Sequence, residues 1–217
     1  MMYHRKELLK QLCAIFGPSG CESRVREAIK GRAERVVDSV KVDRVGDLIS
    51  KMSFGEGDDR VKIMVSAHMD EVGFMIKYID ENGMLYVVPI GGIDLMLLPG
   101  TRLAVHHGDN SFLGIVGRKP IHLLNEKERA SFSIEDTWLD LGFSSREHAL
   151  QCVSIGDPVT FSTECVQMSD DYFATRSADN KIGAFNAVNR SRLIISNQIR
   201  YSNRLNLRSA AYLKIHC

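Results

Sequence analysis

The sequence predicts an α/β protein interrupted by a small β-barrel. Three observations carry this expectation. An apolar run, Val61 to Ala67, has the length of a strand and opens into His68-Met69-Asp70. Two stretches before it carry apolar residues at helical spacing, and a helix signal returns near Asn180. From Phe74 onward, short β segments at close spacing alternate with Gly-containing turns, the pattern of a small barrel.

In chain order, residues 5–16 set Leu8, Leu9, Leu12, Ile15 and Phe16 at helical spacing, and Gly17-Pro18 stops the helix. Ser19-Gly20-Cys21-Glu22 has the form of a capping box and predicts a second amphipathic helix through Val25, Ala28, Ile29 and Val36. Val40 to Met52 reads as a strand pair around Gly46-Asp47, and Gly55-Glu56-Gly57-Asp58-Asp59 as a solvated loop. The run that ends at His68 fits a buried parallel strand. Its period of two puts His68 and Asp70 on one side and Met69 on the other. A histidine at the carboxyl end of such a strand stands where open α/β sheets bind ligands. Asp70 can then steady a metal-bound His68 or act as a ligand itself. Taken alone, the tripeptide reads first as a strand end that bonds only its own loop.

Phe74–Ile79 and Met84–Val88 flank Asp80-Glu81-Asn82-Gly83, a hairpin signal, and Arg102–His107 and Phe112–Val116 flank a second one at Gly108-Asp109-Asn110. His106 and His107 face opposite ways on a strand and cannot chelate one ion, so both, with His122, read as surface or packing residues. Ser144 or Ser145 caps a short helix, Gly156-Asp157-Pro158 is a turn, and Val153–Phe161 returns as a strand. The lone Trp138 is expected to pack in the barrel. Val166–Met168 leads back to the first domain, where Asp179 precedes a helix from Lys181 to about Ala187. An aspartate at that point is by default an N-cap, although a bridging metal carboxylate could be presented from the same turn. Lys181 reads as a solvated helix residue, and Glu71 as facing away from the site.

Composition is that of an ordinary soluble globular protein, with 44% hydrophobic and 25% charged residues. The net charge of +1 gives no case for nucleic-acid or membrane partners, but it is unevenly spread. Seven of the 28 basic residues and none of the 27 acidic ones follow residue 180, so the first 180 residues carry 21 basic against 27 acidic groups. Five scattered cysteines without a C-x-x-C pair predict reduced thiols in a cytoplasmic protein. Charged residues from His4 to Glu7 argue against a signal peptide, and no apolar run reaches membrane length.

Five stretches, taken together, resemble the M42 family of metallo-aminopeptidases, relatives of the tetrahedral peptidases and of proteins labelled endoglucanase M or glutamyl aminopeptidase. They are His68–Phe74, Gly114–Leu124, Leu139–Glu147, Gly156–Val159 and Asp179–Gly183, in the family's order and at its spacings. The resemblance implies a zinc-peptidase-like three-layer α/β catalytic domain, here incomplete, formed by residues 1–73 and 165–188. It implies a β-barrel at 74–164 that mediates subunit contacts in a homo-oligomer. It also implies His68 as ligand of one metal, Asp179 as bridge between two, and Asp70 as the group that steadies the site. The expected cofactors are two divalent ions, zinc or cobalt, that activate a water to attack peptide substrates at their N-terminal residue.

The family supplies further glutamates, an aspartate and a distal histidine after the Asp-bearing helix. No Asp or Glu follows Asp179 here, and His216 is the only later histidine. From Asn189 no continuation is evident: Leu193-Ile194-Ile195 could finish the helix or form a strand, and residues 189–217 stand as an unmatched basic tail. A frame change or truncated gene accounts for both features, and such a tail would leave the sheet with an unpaired edge. The competing reading is a catalytically inactive fragment that keeps only subunit binding. Carbohydrate hydrolysis, suggested by the endoglucanase label alone, has no supporting carboxylate pair.

Overall fold

The computed structural model describes residues 2–53, 60–126, 132–170, 172–188 and 208–216. The chain divides into two compact units, Met1–Glu71 with Cys165–Cys217, and Val72–Glu164.

In the first unit, helices α1 (Met2–Ala14) and α2 (Ser23–Ala33) precede strands β1 (Ser39–Val42), β2 (Leu48–Ser53) and β3 (Arg60–His68). The expected loop at 55–59 lies outside the described residues. Leu9, Leu12 and Cys13 of α1 and Val25 and Ile29 of α2 pack with Leu48, Ala67 and Met69 and with Ala184 and Phe185 of a later helix. These helices cover the face of β3 that carries Val65 and Ala67, which gives two layers of the expected three among the described residues. The capping box at Ser19–Glu22 does not form. Helix α2 begins at Ser23 without a side-chain cap bond. Ser19 Oγ donates instead to Asp70 Oδ2, and Glu22 Oε1 accepts from Gly20 N at 2.6 Å.

The sheet runs β1-β2-β12-β3, where β12 is Arg208–His216. Strand β12 pairs antiparallel with β2 and parallel with β3, with His216 in register with His68. Residues 208–216 of the basic tail therefore supply a strand between two others, and β3 ends the sheet among the described residues. The run Leu193–Ile195 lies outside the described residues. Strand β3 is parallel to its neighbour as expected, but it is not buried on both faces: Met64 is 67% exposed.

In the second unit, six strands close a barrel in the order β4-β5-β8-β7-β6-β9. They are β4 (Gly73–Ile79), β5 (Leu85–Ile90), β6 (Arg102–His107), β7 (Asn110–Arg118), β8 (Thr137–Asp140) and β9 (Pro158–Phe161). Phe74, Ile76, Leu85, Leu103, Val116 and Leu139 fill its interior. The β4–β5 hairpin is closed by Asp80, whose Oδ1 accepts from the backbone N–H of Asn82 (3.0 Å) and Met84 (2.9 Å), with Gly83 at φ +83°. Ser145 caps the short helix α3 (Arg146–Leu150), accepting from His148 N at 3.2 Å. Strand β9 is shorter than the Val153–Phe161 expectation because residues 154–157 form the turn. Trp138 is half-buried against Gly117, where an added Cβ would fall within the indole. His106 is buried on Thr160 (2.8 Å), and the half-exposed His107 faces Asp157 (2.8 Å) at the surface.

Candidate metal-binding site

Strand alternation does at His68 what the sequence anticipates. Met69 is fully buried in the core, while His68 and Asp70 point to the opposite side. The strands β10 (Val166–Gln167) and β11 (Phe173–Ala174) lead to a turn at residues 176–177 and to helix α4 over residues 178–188. That helix starts at residue 178, three residues before the expected Lys181, so Asp179 sits in its first turn instead of capping it from outside. Ser177 precedes the helix at φ +55°, and its hydroxyl donates to Cys13 O at 3.1 Å.

This turn brings Asp179 to His68. His68 Nε2 lies 3.1 Å from Asp179 Oδ1, and His68 Nδ1 lies 2.7 Å from Asp70 Oδ1. A proton on Nδ1 shared with Asp70 leaves the Nε2 lone pair facing a carboxylate oxygen. Two electron pairs converging on one point call for a cation between them, either a proton or a metal ion. The Asp179 side chain is 94% exposed and that of His68 43%, so solvent reaches this point. Imidazole nitrogen and carboxylate oxygen are both suitable donors for zinc. The pair fits such an ion as two of its ligands, with Asp70 fixing the imidazole. Among the described residues no group of three or more His, Cys, Asp or Glu side chains is placed to hold a metal ion together.

Beside the pair lies a buried ion cluster that sequence reasoning missed. Lys181, expected in solvent, is 0% exposed. Its Nζ donates to Ile15 O at 2.6 Å and to Glu71 Oε1 at 3.3 Å. Arg176 Nη1 lies 2.6 Å from Glu71 Oε1 and 2.5 Å from Oε2, and Nη2 donates to Ala14 O at 2.6 Å. Glu71 Oε1 also accepts from Gly17 N at 2.9 Å, and Glu71 N donates to Gly17 O at 3.0 Å. Burial pushes the Lys181 ammonium below its usual range, and the Glu71 carboxylate partly restores it. Burial likewise pushes the Cys13 thiol up, with Lys181 opposing. A signal existed: one acid beside Asp70 and two cations flanking Asp179 are complementary charges next to apolar runs.

The α/β unit thus carries a strand-end His-x-Asp met by an aspartate from a helix, and the other unit is a closed six-stranded barrel. A model of the M42 glutamyl aminopeptidase family matches residues 48–206, and the chain belongs to that family. The match passes residue 188, where the sequence resemblance was expected to stop. The lysyl aminopeptidase of Pyrococcus furiosus is 33% identical over 184 residues, 81% of this chain and 51% of that protein. An aminopeptidase of Desulfurococcus kamchatkensis superposes with a TM-score of 0.85 at 26% identity, over 98% of this chain and 55% of that one. The TET1 peptidase of Pyrococcus horikoshii, described as assembling into a tetrahedron or a large octahedral shell, superposes with a TM-score of 0.79 at 30% identity. That likeness covers 97% of this chain and 60% of the other. The chain spans about half the length of the curated relatives it matches. Among the described residues no helix is long and apolar enough to cross a membrane.

Proposed function

We propose that the protein acts as a metal-dependent aminopeptidase, hydrolysing N-terminal residues from peptides, with His68 and Asp179 as ligands of a divalent ion, zinc or cobalt. The observation that carries this reading is the 3.1 Å approach of His68 Nε2 to Asp179 Oδ1. When bound, the ion polarises the substrate carbonyl and makes a coordinated water nucleophilic near neutral pH. Asp70 holds the Nδ1 proton of His68 and so keeps Nε2 free to donate. Ser19 Oγ donates to the other Asp70 oxygen and restrains its rotation. A dinuclear site with Asp179 as bridge, and self-association through the barrel, extend the same reading. The assembly of the Pyrococcus horikoshii relative supports the second extension.

A second reading is supported by residues 180–217, which contain no Asp or Glu that could take the water's proton. In that reading the chain binds subunits without hydrolysis. The two separate on metal content by mass spectrometry after loading with zinc or cobalt, alongside a panel of aminoacyl chromogenic substrates. Bound metal with turnover supports the aminopeptidase. Self-association without turnover supports the second reading.

A further inference from the structure

We propose that Glu71 is a positioning residue, which latches the His68–Asp70 segment against the turn after α1 and so holds His68 in reach of Asp179. This inference rests on the metal-site reading given above. Glu71 is 7% exposed and meets three donor groups: Arg176 Nη1 reaches both oxygens, and Oε1 also meets Lys181 and the amide of Gly17. Those donors come from separate parts of the chain. Gly17 belongs to the turn after α1, and Arg176 and Lys181 flank Asp179 on either side. Each cation also grips the chain just before Gly17, Arg176 at Ala14 O, the end of α1, and Lys181 at Ile15 O. One carboxylate therefore ties three segments together: the one bearing His68 and Asp70, the one bearing Asp179, and the turn bearing Ser19, which reaches Asp70.

The geometry explains why a charge is buried here. A carboxylate with two cationic partners and a backbone donor is satisfied on both oxygens, which offsets much of its desolvation. A partly satisfied network would be looser, and a displacement of about 1 Å at His68 or Asp179 is enough to degrade a shared ion site. Glu71 itself does not contact the point between His68 and Asp179. Its effect on the ion passes through His68 and Asp70.

The test compares the full chain with Glu71→Gln, which keeps shape and removes charge. Cobalt affinity and the visible spectrum of the bound cobalt report the site. In the metal-free protein, exchange of the Gly17 amide and the His68 Nδ1–H resonance report the latch. The expected result is a cobalt affinity lower by roughly ten- to a hundredfold with an altered spectrum. Alongside it, Gly17 exchange speeds up and the Nδ1–H signal is lost, while the amide of Val116, bonded within the barrel to Thr101 O, keeps its protection. Wild-type cobalt affinity and spectrum in the variant overturn the proposal, whatever the exchange shows. If the wild-type chain takes up no cobalt, the metal-site reading fails, and the metal-free signals decide: an unchanged His68 Nδ1–H signal in the variant overturns the latch, and its loss supports it. Should Glu71→Gln alone not fold cooperatively, Glu71→Gln with Lys181→Met, which removes a charge from each side, is read in the same way.

Discussion

His68 and Asp179, 111 positions apart in the chain, meet with Nε2 and Oδ1 separated by 3.1 Å. One residue ends β3 and the other opens α4, and Asp70 holds the far nitrogen of the imidazole at 2.7 Å. In the proposed site this contact gives Asp70 the role of orienting the imidazole. Asp70→Asn is expected to lower cobalt affinity roughly ten- to a hundredfold while the thermal transition moves little. Calorimetric titration checks it, and an unchanged affinity would show that the Asp70 contact does not set the imidazole.

Lys181 makes its bonds with no exposure to solvent. Lys181→Met keeps most of the volume but leaves Ile15 O without its donor and weakens the pairing of Glu71. The expected cost is about 1–3 kcal/mol in urea unfolding, because Arg176 still satisfies the carboxylate. A neutral or stabilising result would show that the buried ammonium adds nothing.

Cys13 supplies a pH dependence. Its thiol is raised mainly by burial, so the folded state keeps the proton at pH values where the unfolded chain releases it. That contribution is whole below the ordinary thiol pKa of about 8.5 and is lost as pH rises through the folded value. The stability of the wild type relative to Cys13→Ala should therefore fall above about pH 8.5, by at most about 1.4 kcal/mol per pH unit. Paired denaturation curves between pH 7 and about 10 measure this, and a flat difference would contradict it.

Trp138, the only tryptophan, lies over Gly117. Gly117→Ala drives a methyl into the indole and should cost about 1–3 kcal/mol. Tryptophan emission should shift to longer wavelength as the ring is pushed outward. An unshifted spectrum would mean that the ring has room to move.

Legibility in the sequence follows the range of the interactions. The β3 strand end was readable because a period of two and a small-residue terminus are local features. The barrel hairpins were readable because Asp80 and Gly83 encode their turn chemistry within four residues. The pairing of His68 with Asp179 came only from resemblance, since no local pattern spans the distance between them. Lys181 was misjudged because a lysine defaults to solvent and its carboxylate partner lies 110 positions away. Ser19 was misread as a cap for the same reason: Asp70, 51 positions on, takes its hydroxyl. Strand β12 escaped notice because its pairing is wholly non-local and its neighbourhood is rich in Ser, Asn and Arg.

The most direct measurement is cobalt binding, by visible absorption and calorimetry, to the wild-type chain, His68→Ala and Asp179→Ala. Both side chains are solvent-accessible, so both variants should fold as the wild type does. The account predicts that the wild type binds cobalt and that each substitution alone abolishes or severely weakens it. Binding of equal strength in either variant, or none in the wild type, would contradict a cation shared by His68 and Asp179.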